Sequence, residues 1–180
     1  MSKLAGTMAA GKRVRLGTAI VTGASRGIGA GVTRAFLDLG YHVVANALHF
    51  ADSPLVPNEN LALVEGNIGQ LSTAMNIAET ADRKFGSIDV VVNNAGIFFT
   101  KPFTDYTPND FQRLSGTNLE GYIYITQIAV KQMLFRWAEA GVPKTPSWVR
   151  DLWRHTEQKG TGPEHTAEVP GHGVVLFGVR

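Results

Sequence analysis

The sequence predicts an α/β fold, a doubly wound parallel sheet that stops after a fourth strand and one long helix. Three observations predict it. Short apolar runs alternate with segments of helical periodicity. No hairpin signals join those runs. The regular pattern ends near Phe135 in a chain of 180 residues.

Residues 17–22, GTAIVT, form the first strand, followed by a glycine-rich turn. RGIGAGVTRAFLDLG then places Ile28, Val32, Phe36 and Leu39 on one helical face, with Gly40 as a stop. YHVVANAL (41–48) is the second strand and LALVEG (61–66) the third, separated by a loop with Pro54 and Pro57. LSTAMNIAETADRKF (71–85) is helical, with Leu71, Met75, Ala78 and Phe85 near one face. SIDVVVNNAG (87–96) is the fourth strand, and its Val90–Val92 run suits burial on both faces of a parallel sheet. TPND opens the long helix: Thr107 caps it, Pro108 fits the first helical position, and Asp110 complements the dipole. The apolar face runs Phe111, Leu114, Leu119, Ile123, Val130 and Met133. The step from Leu114 to Leu119 is one residue too long for regular helical spacing, and Ser115 and Gly116 fall in the gap.

Residues 136–180 differ in kind. They hold all three tryptophans, four of the eight prolines and three of the five histidines. Only GVVLFGV (173–179) reads as a strand. Residues 1–16 read as a solvated N-terminal arm. The domain expectation is therefore an arm at 1–16, an α/β domain at 17–135 and an unrelated tail at 136–180.

Composition narrows the function. Apolar residues make up 44% and charged residues 18%, ordinary values for a globular protein. The net charge of +2 and the dispersed basic residues argue against a nucleic-acid partner. Without cysteine there is no disulfide, thiolate metal site or cysteine nucleophile. No apolar run approaches the roughly 20 residues of a membrane span, and the N-terminus lacks a signal-peptide layout. The expected location is the cytosol. His155, His165 and His172 with Glu157 and Glu164 match no metal-ligand spacing, so no metal is expected.

Two motifs carry chemistry. TGASRGIG, Thr22 to Gly29, follows a strand and opens a helix. Its glycines let backbone approach a pyrophosphate, and the helix N-terminus offers free N–H groups and positive dipole. NNAG, Asn93 to Gly96, sits at the C-terminal end of the fourth strand, the end where open parallel sheets bind ligands.

Thr22-Gly23-x-x-x-Gly27-x-Gly29, then Asn93-Asn94-Ala95-Gly96, then Asn118 within TNLEG, resembles the short-chain dehydrogenase/reductase family over residues 14–135. The resemblance implies a Rossmann-type sheet, an NAD(P)(H) cofactor, and hydride transfer between nicotinamide and a carbonyl or alcohol. It implies that Gly23, Ser25, Arg26, Gly27 and Gly29 form the pyrophosphate turn, with Ile28 in the cofactor floor. It puts Asn67 and Ile68 near the adenine, where the family commonly has Asp-Val or Asp-Ile. Asn93, Ala95 and Gly96 would line the ribose and nicotinamide side, and Asn118 would help hold a proton-relay water. The second strand ends in Asn46, Ala47 and Leu48, without the acid that binds a ribose 2′-hydroxyl. Arg26 can pair with a 2′-phosphate. NADP is therefore expected over NAD.

The family's catalytic serine and Tyr-x-x-x-Lys find no match. Four residues beyond Tyr41, Tyr106, Tyr122 and Tyr124 stand Ala45, Asp110, Thr126 and Ile128. Ser147 and Lys159 lie near the expected distances but without the family's surrounding pattern. In the family, the lysine cation keeps the tyrosine poised for proton transfer at neutral pH. The expectation is a chain that binds cofactor but is catalytically incomplete; a non-catalytic or regulatory nucleotide-binding module is the alternative. The composition change after 135 is what a shifted reading frame or a wrongly joined segment gives. A genuine insertion, with 173–179 beside the fourth strand, is the other reading. The family commonly self-associates through the long helix and the one after it. Without that second helix, a homo-oligomer is in doubt.

Overall fold

The computed structural model describes residues 17–139, 148–151, 156–159 and 175–178. The chain divides into two compact units, Met1–Met133 and Leu134–Arg180.

In the first unit, β1 (Thr18–Thr22), β2 (His42–Ala47), β3 (Leu61–Glu65) and β4 (Val90–Val92) form a parallel sheet in the order β3-β2-β1-β4. This is the doubly wound, Rossmann-like arrangement expected. The crossovers run through α1 (Gly27–Asp38) and α2 (Leu71–Phe85). Every residue of β1 and β2 is buried, because helices cover both faces of the inner strands. Ile20 and Val44 join Ile68, Ile77, Ile88 and Ile125 in one core. Val21, Val43 and Leu61 join Leu55 in the other. Each such side chain contributes about 1.5–3 kcal/mol by leaving water.

Both crossover helices bury only part of the face expected for them: Val32, Phe36, Ala78 and Phe85 meet the core, and small residues fill the rest. In α1 the buried residues are Gly29, Ala30 and Thr33, while Ile28 is 79% exposed and Leu39 is also exposed. A Cβ on Gly29 would stand 2.3 Å from the Gly23 carbonyl oxygen, so the helix lies too close to the turn for a larger residue. Val32 and Phe36 do pack against the core. In α2 the stripe is Thr73, Ala74, Ile77, Ala78 and Ala81, and Leu71 and Met75 are exposed. Small residues set the helix-to-sheet distance in both cases.

β4 is shorter than the expected 87–96 and half-buried, because it is an edge of this sheet. Val91 faces one core and Val92 the other. Thr107, Pro108 and Asp110 open α3 (Pro108–Ser115) with a complete capping box. A π-helical turn over Gly116–Glu120 then joins α3 to α4 (Gly121–Glu139). That turn absorbs the extra residue in the Leu114–Leu119 step. α4 runs four residues past Phe135, through Arg136 and Glu139, both good helix formers.

In the second unit, β5 (Trp148–Asp151), β6 (Thr156–Lys159) and β7 (Val175–Gly178) form an antiparallel sheet in the order β6-β5-β7. β5 and β6 fall where the sequence shows no periodicity. β7 falls within 173–179 but pairs with β5 instead of standing beside β4. Residues 1–16, Ser147, His155, Glu164, His165 and His172 lie outside the described residues. No described helix is long and apolar enough to cross a membrane.

Candidate nucleotide-binding cleft

A cleft of about 900 Å³ crosses the C-terminal ends of the four parallel strands. The strand order reverses between β1 and β4, and such a switch point is where open α/β sheets bind ligands. One wall is made of strand ends: Gly23, Ser25 and Arg26 after β1, Asn46 to Leu48 at β2, Gly66 to Gly69 after β3, and Ala95 to Ile97 after β4. The facing wall is one stripe of the helical segment: Asn109, Gln112, Arg113, Gly116, Thr117 and Glu120.

The turn after β1 needs its glycines for two distinct reasons. Gly23 (φ +65°) has left-handed backbone, and a Cβ there would stand 2.7 Å from Ala95 Cα. Gly27 (φ +56°) is left-handed too, but nothing lies within 4 Å of its Cβ position, so the backbone there is open to an approaching group. Arg26 is the extended N-cap of α1, and no side chain caps the helix or places an acid in its first turn. The first-turn N–H groups and the helix dipole thus suit an anion.

The turn is stitched to the end of β4. The Asn94 and Ala95 backbone N–H groups donate to Thr22 Oγ1 at 3.1 and 3.0 Å. Asn94 Nδ2 donates to the Thr22 and Gly23 carbonyls at 2.9 and 3.1 Å. Asn94, beside the expected Asn93, therefore holds the two loops together. The Asn93 amide instead donates to Thr126 Oγ1 at 2.9 Å.

At the end of β2, where the sequence has no acid, Asn46 serves as a structural amide. Asn46 is buried and donates to the Val64 and Gly66 carbonyls at 2.9 and 3.2 Å, fixing the end of β3. After β3, Asn67 Oδ1 accepts from the Gly69 N–H at 3.0 Å. A Cβ on Gly69 would come 2.6 Å from the Gly116 carbonyl oxygen, and one on Gly121 would come 2.8 Å from Ile68 Cγ2. The π turn therefore rests directly on the loop after β3.

Asn118 sits in that π turn. Its Oδ1 accepts from the Ile97 N–H at 2.8 Å, and its Nδ2 donates to the Ile97 carbonyl at 3.0 Å. Both ends of the amide hold the loop after β4, and the side chain does not line the cleft. Gly27, Ile28, Gly29 and Asn93 do not line it either, whereas Gly23, Ser25, Arg26, Asn67, Ile68, Ala95 and Gly96 do. For Ile28 the reason is the helix register, which turns Gly29 inward.

The helical wall escaped the sequence reading. Its signal was a polar stripe at 109, 112, 113, 116, 117 and 120, spaced as one helical face. Among the described residues, the charged ones lining the cleft are Arg26, Arg113 and Glu120. The Arg113 guanidinium lies 5.4 Å from the Phe99 ring centroid. The Lys101 ammonium, which also lies over the Phe99 ring, pairs with Asp110. That ammonium, then the Thr107 hydroxyl and backbone N–H, hold the Asp110 carboxyl well below the usual carboxylate range. The Glu120 carboxylate, by its hydrogen bond and then its charge, raises the Tyr124 phenol above its ordinary value.

The short chain dehydrogenase family model matches residues 17–142, more than half of the chain. The chain belongs to the short-chain dehydrogenase/reductase family. It is 34% identical over 126 residues to L-rhamnose 1-dehydrogenase (NAD(P)(+)) of Azotobacter vinelandii, covering 64% of this chain and 49% of that protein. It is 28% identical over 126 residues to the NADP-dependent (R)-specific alcohol dehydrogenase of Lentilactobacillus kefiri, covering 67% and 50%. Among solved structures, a short-chain dehydrogenase/reductase (glucose/ribitol dehydrogenase) from Brucella melitensis superposes with a TM-score of 0.59 at 30% identity, covering 64% and 49%. The chain spans from a third to somewhat over half of the length of curated relatives that it matches.

A second model, the alpha galactosidase C-terminal beta sandwich domain, matches residues 110–179. Its first part falls on α3 and α4, which are helices and not sandwich strands. Its remainder spans the antiparallel β5, β6 and β7. It covers less than half of the chain and assigns no family.

Proposed function

We propose that the cleft holds NADP(H), in preference to NAD(H), and that the 180-residue chain binds this cofactor without completing hydride transfer. The observation that carries the binding half is the turn after β1. Gly23 seats it against β4, Gly27 leaves backbone open, and α1 presents an uncapped N-terminus with Arg26 at its mouth.

When bound, the nicotinamide supplies or accepts a hydride. The residues of this chain orient it. The pyrophosphate would lie over Gly23, Ser25 and Arg26, which line the cleft, with the first-turn N–H groups of α1 following directly after them in the chain. Arg26 would pair with the 2′-phosphate, which no carboxylate at Asn46, Ala47 or Leu48 would repel. Asn67 and Ile68 would flank the adenine. Ala95 and Gly96, fixed through Thr22 and Asn94, would border the nicotinamide ribose. Asn118 would hold the loop after β4 in register by its double bond to Ile97.

The catalytic half of the proposal rests on the sequence. Reduction of a carbonyl needs a proton for the developing alkoxide, and no tyrosine in the chain is followed four residues later by lysine. We place the chain in the cytosol as part of the same reading.

The test is a fluorescence titration of the full chain with NADPH and with NADH, with and without Arg26→Ala. NADPH is expected to saturate one site, and Arg26→Ala to weaken NADPH about tenfold, the scale of one charge-assisted contact, with little effect on NADH. Equal loss for both would remove the 2′-phosphate role. Sustained NADPH oxidation with a carbonyl substrate, abolished by Asn118→Ala, would show an active enzyme with another proton donor.

A further inference from the structure

The dinucleotide reading gives the side chains of the helical wall no task, and one of them carries a negative charge. Glu120 is the one carboxylate among the described residues that line the cleft. Its Oε2 accepts from the Tyr124 hydroxyl at 3.1 Å, one helical turn further on. Among the described residues its other oxygen meets no donor. A free carboxylate in a cleft for a phosphorylated ligand is unfavourable unless it stands away from the phosphates and meets a donor.

The topology says which part of the ligand it meets. The strands run outward from the switch point as β1, β2, β3. A nucleotide with its pyrophosphate on the turn after β1 and its ribose at the end of β2 carries its base to the end of β3. There the loop of Asn67, Ile68 and Gly69 faces Gly116 and Thr117, with the backbones of Gly69 and Gly116 nearly touching. The Asn67 side-chain Oδ1 already accepts from the Gly69 N–H. Glu120, one turn beyond Gly116 and Thr117 on the same stripe, brings an uncommitted acceptor to this end of the cleft.

We propose that Glu120, anchored by Tyr124, selects a base with an exocyclic amino group, adenine, over a 6-oxo purine. An amino N–H donates to the carboxylate, whereas a 6-oxo group turns lone pairs toward it. Tyr124 is a positioning residue: its hydroxyl fixes one carboxylate oxygen and leaves the other for the base. This inference rests on the dinucleotide reading and adds the residue that reads the base.

The experiment is equilibrium dialysis of the full chain with NADP+ and with its hypoxanthine counterpart, which replaces the amino group by oxygen. The unaltered chain is expected to bind the hypoxanthine form about tenfold more weakly, the size of one charge-assisted hydrogen bond at a solvent-reached site. Glu120→Ala is expected to bring the two affinities together by weakening only the adenine form. Tyr124→Phe is expected to give an intermediate ratio. Arg26→Ala is expected to weaken both forms and leave the ratio unchanged. Equal binding of the two forms by the unaltered chain, or an unchanged ratio in Glu120→Ala, overturns the assignment while leaving the dinucleotide reading in place. Binding of neither form removes both.

Discussion

The two walls of the cleft are built by opposite means. On the strand side, backbone does the work. Gly23 and Gly27 adopt left-handed conformations, Gly29 sits under the turn, and polar contacts from Thr22 and Asn94 fix the loops. On the helical side, side chains do the work, along a polar stripe that passes through a π turn. A backbone wall tolerates almost no substitution, because each glycine is required by geometry. A side-chain wall can exchange residues at modest cost to the fold, and specificity can be written there.

That contrast orders the expected effects of mutation. The largest belongs to the strand wall. Gly23→Ala combines left-handed backbone with a collision against Ala95 and is expected to cost about 2–4 kcal/mol in urea unfolding, with loss of NADPH binding. A smaller change would mean that the turn and β4 can separate, which would undo the contrast. Next is Asn118→Ala, which removes both bonds to Ile97. It is expected to cost about 1–2 kcal/mol and to loosen the loop after β4, measured by urea unfolding and amide exchange at Ile97. Thr107→Ala breaks the capping box on the helical wall and is expected to cost about 1 kcal/mol in the same unfolding assay.

The smallest effect is one of pH. Asp110 is held below its usual range by Lys101 and Thr107. A depressed carboxyl contributes stability above the unfolded value of about 3.9 and loses it as pH falls through the folded value. Thermal unfolding followed downward from pH 5 is therefore expected to show a decline that Asp110→Asn flattens. An identical decline in the variant would mean that other carboxylates carry the acid sensitivity.

The same division explains what was legible in the sequence. Glycines required by backbone geometry leave letters at fixed spacings, so Gly23, Gly27 and Gly29 and the β1–α1 unit could be read directly. The capping box at Thr107–Asp110 was legible for the same reason. The surplus residue between Leu114 and Leu119 showed that the long helix was irregular, and the π turn at Gly116–Glu120 is its form. The helix faces were legible at Val32, Phe36, Ala78 and Phe85 but not at Ile28, Leu39, Leu71 and Met75, which are large and apolar yet exposed, while Gly29, Thr33 and Ala81 set the contacts. Hydrophobicity alone cannot rank a small residue that permits close approach above a large one. The helical wall was missed because Gln112, Arg113 and Glu120 look like any solvated face until the strand ends are placed opposite them. β5 and β6 are short strands that pair with each other, and β5 also pairs with β7, a non-local fact that no local period records.

The measurement that tests the account most directly is amide hydrogen exchange of the full chain with and without saturating NADPH. The account predicts slowed exchange on both walls together, at residues 23–29 after β1 and at residues 116–120 in the π turn. Protection confined to one wall, or to neither, would contradict the claim that the strand ends and the helical stripe enclose a single dinucleotide site.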